Sequence, residues 1–262
     1  MTDVTSYSGL LLIEEAMRAL KVDKSVEKHL HIKERERGFS EYDYVRAFVF
    51  LLSAGGEHLD DIEQLRGDAG LRRLFEIPSS SAIRTFLYQF HDEQKMKDKP
   101  PDGAFIPDES DNLKALDEVN AEIILNSFRD EGERVATLEP DATVIESNKE
   151  EACWTYLGVK GYQPQIVWWV EGDKILSDQF RDGNVPSRME TLPLIKKAIY
   201  RLPRFIQRIY IRGDSAFYEH TLLDWLRDGY KNEDALKKKE IYFAVSAVMS
   251  EELKAEIRAL VA

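Results

Sequence analysis

Little in this chain fixes its class by covalent chemistry. It has one cysteine, Cys153, in 262 residues, which excludes an internal disulfide and a thiolate zinc cluster. Its longest apolar runs, Gly9 to Ile13 and Ala47 to Leu52, fall far short of the roughly 20 residues that span a bilayer. The start, Met1-Thr2-Asp3-Val4, lacks the basic residues of a secretion signal. The histidines (His29, His31, His58, His91 and His220) show no paired metal spacing. Positive charge is also in deficit: the net charge is −12, which argues against a plain nucleic-acid coat, since phosphate binding normally shows as a basic face. These absences point to a cytoplasmic chain with no membrane partner.

What is present is enough to build a core. Hydrophobic residues make up 43% and charged residues 32%, an ordinary globular balance. The charge is unevenly spread. Thr191 to Gly213 carries Lys196, Lys197, Arg201, Arg204, Arg208 and Arg212 with no acid, whereas Asp98 to Glu118 is dominated by acids. Either run also reads as a solvated face.

Periodicity divides the chain. Residues 9–92 carry apolar residues at helical spacing, beginning with Leu10, Ile13, Met17 and Leu20. Ser40 ahead of Glu41-Tyr42-Asp43 is an N-cap signal, and Gly55-Gly56 ends that helix. Ser79-Ser80-Ser81 caps a further helix through Ile83 and Phe90. Its Arg84 and Thr85, near the helix start, suit a helix-turn-helix reader of DNA, although serine caps helices of every kind. Pro100-Pro101, Gly103 and Pro107 mark a connector. The expected domains are a helical, DNA-binding region at 1–95, a linker at 96–112, and an α/β domain at 113–262 that opens with a helix from Leu113. From Val135 the period changes to that of strands. The expected order is βββαβαβα, with a hairpin at Gly172-Asp173, which gives a mixed sheet with helices on its faces.

Two strings carry the chemistry: Pro140-Asp141-Ala142-Thr143-Val144-Ile145 and Ile209-Tyr210-Ile211-Arg212-Gly213-Asp214. Each is a strand-forming run interrupted by one aspartate. A strand interior normally excludes aspartate, and a buried carboxylate costs stability unless something binds it. A divalent cation held between two strands explains both positions. Mg²⁺ and Mn²⁺ are hard ions that favour oxygen ligands, and such sites support phosphoryl transfer. The plainer alternative is that both aspartates are turn or cap residues at strand ends. Trp154, Tyr156, Trp168 and Trp169 suit base stacking, but at least one of the adjacent tryptophans is expected in the core, because successive strand residues face opposite sides. Cys153 has no evident base partner and reads as inert.

The stretches Leu138 to Ser147, Tyr156 to Pro164, Gln179 to Val185 and Arg212 to Tyr218, in that order, resemble bacterial insertion-sequence transposases of the DDE type. Ala54 to Glu57 and Asp60-Asp61 fit the same likeness. The resemblance implies a ribonuclease-H-like catalytic domain, with Asp141 and Asp214 as the first and second catalytic, metal-binding aspartates. It implies Mg²⁺ or Mn²⁺ as cofactor and double-stranded DNA, both element ends and target, as partner, with a homodimer as the active form. Arg181, Lys160 and Arg212 are candidate phosphate contacts, with Arg84 of the helical region a candidate DNA contact, and Asp182 and Asn184 candidates to support the metal ligands; Lys160 and Arg212 read equally as solvated flanks of strands. Gly183-Asn184 is also a turn pair in its own right. The family's third acidic ligand, usually a glutamate on a helix well beyond the fifth strand, finds no clear match before Ala262. Glu251, Glu252 and Glu256 read as surface residues. A C-terminally truncated transposase is therefore expected. The alternatives are a non-catalytic DNA-binding or dimerisation fragment, and a ribonuclease-H-like nuclease.

Overall fold

Helix-forming runs with one apolar face build the first unit of the computed structural model, which describes residues 4–32, 37–97, 99–100, 103–128, 134–247 and 249–261. That unit comprises Met1–Lys99 with Pro107–Phe128; the second comprises Pro100–Ile106 with Arg129–Ala262. The helices of the first are α1 (Leu10–Ala19), α2 (Val22–His29), α3 (Glu41–Ser53), α4 (Ile62–Gly67), α5 (Ser80–Tyr88), α6 (Glu93–Lys97) and α7 (Asp111–Asn126). Ser40 and Asp43 close a reciprocal capping box on α3, a device whose loss typically costs about 1 kcal/mol. Ser79 caps α5 through the Ala82 N–H. One apolar cluster joins Phe50, Ile62, Leu65, Leu71 and Ile83, all essentially inaccessible. Each such side chain contributes roughly 1.5–3 kcal/mol of hydrophobic burial.

The sequence pattern places Leu113 to Phe128 at the head of the α/β domain, but α7 packs on α2. Val119 shares a buried cluster with Val22, Val26 and Phe86, and Glu122 binds Ser25, Lys28 and His29 of α2. The α2 segment, Val22-Asp23-Lys24-Ser25-Val26-Glu27-Lys28-His29, escapes the periodicity reading. It is short, and its preceding residue, Lys21, sits at φ +57° with no side-chain cap.

The second unit is a mixed five-stranded sheet. Its strands are β1 (Val135–Ala142), β5 (Gln165–Trp169), β6 (Lys174–Gln179), β7 (Arg208–Gly213) and β8 (Glu240–Val245), in the spatial order β6-β5-β1-β7-β8. β5 and β6 run antiparallel, β5 pairs antiparallel with β1, and β1, β7 and β8 are parallel. This is the ribonuclease-H-like arrangement that the resemblance implies. Parallel neighbours need a crossover. Helix α8 (Thr191–Arg201) connects β6 to β7, and α9 (His220–Arg227) connects β7 to β8; α10 (Glu251–Val261) follows the sheet. The buried face of α8, with Leu194, Ile195, Ala198 and Ile199, covers one side of the sheet.

A second, smaller sheet went unrecognised in the sequence. It joins β2 (Ile145–Glu146), β3 (Cys153–Trp154) and β4 (Lys160–Tyr162) in the order β2-β4-β3, all antiparallel. Its strands are two or three residues long, too short to show a period. Among the described residues, no helix is long and apolar enough to cross a membrane.

Candidate active site

Alternation along β1 buries Ala136, Leu138 and Pro140 and leaves Thr137, Glu139 and Asp141 on the more open face. Along β7, Ile209 and Ile211 are buried, while Tyr210 and Arg212 share that open face. The two strands pair in parallel, with Thr137 opposite Tyr210 and Leu138 opposite Ile211. Carrying this register forward sets Glu139 opposite Arg212 and Asp141 opposite Asp214. An ion pair between Arg212 and Glu139 confirms it.

Asp141 is the penultimate residue of β1, and Asp214 is the first residue past β7. Both are exposed. The argument that a buried carboxylate must be compensated therefore does not apply to either. What stands is their convergence: both line one open cleft of about 690 Å³ at the carboxyl ends of the parallel strands. Asp214 is also a cap, as the plainer alternative expects. Its Oδ1 accepts the Ala216 N–H at 2.8 Å and starts a short 3-10 turn, Ser215–Phe217. Asp141 Oδ2 accepts from Thr143 Oγ1 at 3.3 Å. Each carboxylate keeps its other oxygen for a ligand, a donor set that suits a hard divalent cation. Among the described residues, no third Asp, Glu, His or Cys completes a metal-binding group with them.

A family model described as Transposase DDE domain group 1 matches residues 2–237. The chain belongs to this DDE transposase family. No curated protein sequence matches it. Two solved structures are similar. The Drosophila P element transposase strand transfer complex is 12% identical, with a TM-score of 0.40 over 86% of this chain and 47% of that one. The piggyBac transposase synaptic complex with hairpin DNA is 11% identical, with a TM-score of 0.43 over 93% and 53%. The chain thus spans about half the length of each.

In this DDE transposase chain the other expected contacts fall in different places. Arg181 is 1% exposed, so its guanidinium cannot meet a DNA phosphate, contrary to the expectation from sequence. Its Nε donates to Gln179 at 2.7 Å and its Nη1 to the Ser187 carbonyl at 3.3 Å. Nη2 is buried with no hydrogen-bond partner among the described residues. Burial pushes the guanidinium down to about 10, against the pull of nearby Glu190. Arg181 thus fastens the loop of residues 182–188 that forms a wall of the cleft. Gln163 helps, donating through Nε2 to Ser187 Oγ, while its own N–H meets the Arg181 carbonyl.

Asn184 lies on that wall and donates to the Gly103 carbonyl at 2.9 Å. Asp182 bridges to Tyr162 through its backbone and is not among the cleft-lining residues. Lys160, on β4, donates to the Glu150 carbonyl at 3.3 Å. Arg212 is engaged with Glu139, and Arg84, in the helical unit, lies 3.5 Å from Asp60.

Gly183-Asn184 forms the turn that the sequence indicates, closed by the Val185 N–H to the Asp182 carbonyl at 3.1 Å, but the glycine is not there for its backbone freedom. Its φ is not among the positive values, and its use is space: a Cβ there would lie 2.5 Å from the Gly161 carbonyl oxygen, 2.7 Å from Thr155 Cγ2 and 2.8 Å from the Cys153 carbonyl oxygen. The small sheet is seated directly on this glycine. Arg188 is the cleft cation that sequence reasoning missed. No motif in the string marks it; it enters the site because Arg181 and Gln163 hold its neighbour Ser187.

Proposed function

We propose that this chain binds the ends of a mobile DNA element and cuts and joins DNA strands by metal-dependent phosphoryl transfer. The observation that carries the reading is the placement of Asp141 and Asp214 at the carboxyl ends of two adjacent parallel strands, lining one cleft. These two carboxylates would hold Mg²⁺ or Mn²⁺. When bound, such an ion supplies Lewis-acid polarisation of a phosphoryl oxygen and eases deprotonation of an attacking water or 3′-hydroxyl. The chain's own part is to fix the ligands on rigid strand ends, with Asp214 oriented by its bond to the Ala216 N–H. Arg188 offers a fork of donors to a phosphate on the same cleft, and the loop held by Arg181 keeps that wall in place. The helical unit is proposed to read DNA sequence through α5, where Arg84 is half-exposed.

The absence of a third acidic side chain from the cleft among the described residues favours one second reading, DNA binding without strand cleavage. A plasmid nicking and strand-transfer assay with Mn²⁺ separates the two. Nicked and joined products that vanish in Asp141→Asn support catalysis. Binding with no product supports the second reading, and nicking without joining supports a nuclease.

A further inference from the structure

Single exposed aromatics are ordinary, but exposed apolar side chains gathered in one cleft mark a binding surface. Trp154 is 64% exposed and Tyr156 is 74% exposed, and both line the cleft that holds Asp141 and Asp214. Trp154 ends β3, and Tyr156 stands in the turn that leads to β4. Thr155 between them is buried and bonds Val159 through both its N–H and its hydroxyl. Alternation therefore turns Trp154 and Tyr156 together to the outside. Their mount is stiff: the backbone of the small sheet rests on Gly183, and a Cβ on Gly161 would lie 2.2 Å from the Ile145 carbonyl oxygen. These rings do not fill the core, and the sheet that carries them is packed more tightly than a mobile loop.

The same cleft supplies a cation, Arg188, and a carboxylate pair. Planar aromatic surface beside a phosphate-binding cation and a phosphoryl-transfer site matches the parts of one nucleotide. We infer that Trp154 and Tyr156 form a stacking subsite for an unpaired DNA base beside the Asp141–Asp214 pair, with Arg188 on the phosphate of that nucleotide. A base inside a duplex is stacked on both sides, and a blunt end offers one face fixed at the helix terminus, whereas an unpaired base can turn and enter between side chains, so the subsite favours a single-stranded tail over a blunt end. This inference rests on the DNA-processing reading above and adds the state of the DNA that the cleft accepts.

The test uses the full chain in EDTA, so that binding is read without cleavage. Two fluorescein-labelled DNAs are compared by anisotropy: a blunt duplex, and the same duplex with a short thymidine tail. The wild type is expected to bind the tailed duplex more tightly. Loss of one base stack weakens binding roughly 5- to 150-fold. Trp154→Ala with Tyr156→Ala should therefore remove the tail preference while keeping the blunt-duplex affinity and the melting temperature. Trp154→Phe should retain the preference. Tryptophan quenching by the tail should fall sharply in Trp154→Phe, because Trp169 and Trp225 are buried at 4% and 8% exposure and the half-buried Trp168 is not among the cleft-lining residues. The inference is overturned if the wild type shows no tail preference, or if the double variant keeps it. A wild type that prefers the tail but never nicks a plasmid with Mn²⁺ would sink the catalytic reading and leave the stacking subsite standing. A wild type that binds neither DNA overturns both.

Discussion

Asp141 near the end of β1 and Asp214 just past the end of the neighbouring parallel strand β7 line one cleft, each two residues beyond its member of the Glu139–Arg212 ion pair that ties the same strands together. In a parallel pair, side chains at matched register lie on the same face. The open ends of such strands are where ligands collect in α/β sheets. The geometry thus brings together residues 73 positions apart in sequence for a reason independent of either residue's chemistry, and the cleft they share follows from it.

The two roles of Asp214 can be separated by substitution. Asparagine keeps an oxygen to accept the Ala216 N–H, so Asp214→Asn should leave the midpoint of urea unfolding unchanged or slightly raised, because it also relieves repulsion with Asp141. Mn²⁺ affinity by calorimetry should fall at least about tenfold, roughly 1.4 kcal/mol. Asp214→Ala loses the cap as well and should cost about 1 kcal/mol of stability. Unchanged Mn²⁺ binding in Asp214→Asn would remove the metal-site assignment.

Gly183 is a packing residue of the cleft. A methyl group there meets two backbone oxygens, of Gly161 and Cys153, which have no rotamer with which to move aside. Gly183→Ala should therefore destabilise the chain by about 1–3 kcal/mol and loosen the wall that carries Asn184 and Arg188. Chemical denaturation measures the first effect. The second should appear as weaker DNA binding at temperatures where the variant is still folded.

The sequence made some of this legible and hid the rest for physical reasons. Long elements with a clear period, such as α3, α8, β1 and β7, can be read directly, and the Ser40 and Ser79 caps sit where their side chains indicate. The aspartate pair can be read because a carboxylate breaks a strand pattern, although the inferred burial cost is absent from the folded chain. Arg181 could not be placed, because an arginine looks alike in sequence whether it faces DNA or a buried loop. The small sheet is too short for a period to show. Arg188 and the placement of α7 depend on tertiary contacts alone.

Arginines that touch phosphates should show themselves in salt dependence. Each phosphate contact contributes close to one unit to the slope of log K against log salt. If Arg188 and Arg84 each meet one phosphate, Arg188→Ala and Arg84→Ala should each lower that slope by about one. Arg181→Lys should leave it unchanged and instead lower the melting temperature. Arg212 is already committed to Glu139 in an exposed pair, so Arg212→Ala should change stability by less than about 1 kcal/mol. Filter binding across a salt series measures the slopes, and an Arg188→Ala slope equal to that of the wild type would take Arg188 out of the interface.

The most strongly perturbed carboxylate in the sheet unit lies outside the cleft. Glu233 accepts from Trp225 Nε1 at 2.8 Å, from the Tyr200 hydroxyl, and from Lys196 Nζ at 2.6 Å. Lys196 also lies 5.0 Å from the centre of the Trp225 ring. Hydrogen bonds from Lys196 first, then Tyr200, hold the carboxyl down to about 2. A perturbed carboxylate often marks a functional site, but here the groups that lower it are donors from α8 and α9, acting against burial, so the group ties those helices together. Its pKa is lower folded than unfolded, so the stability it provides is complete above the unfolded value near 4.5 and is lost as pH falls towards about 2. The shift corresponds to roughly 3 kcal/mol, and solvent access to the side chain, 25% exposed, reduces this to roughly 1–2 kcal/mol. Glu233→Gln should therefore be less stable than the wild type at pH 7, and the gap should close between about pH 4.5 and 2 in urea unfolding at stepped pH. A gap that stayed constant across that window would mean that the network holds the helices by packing rather than by charge.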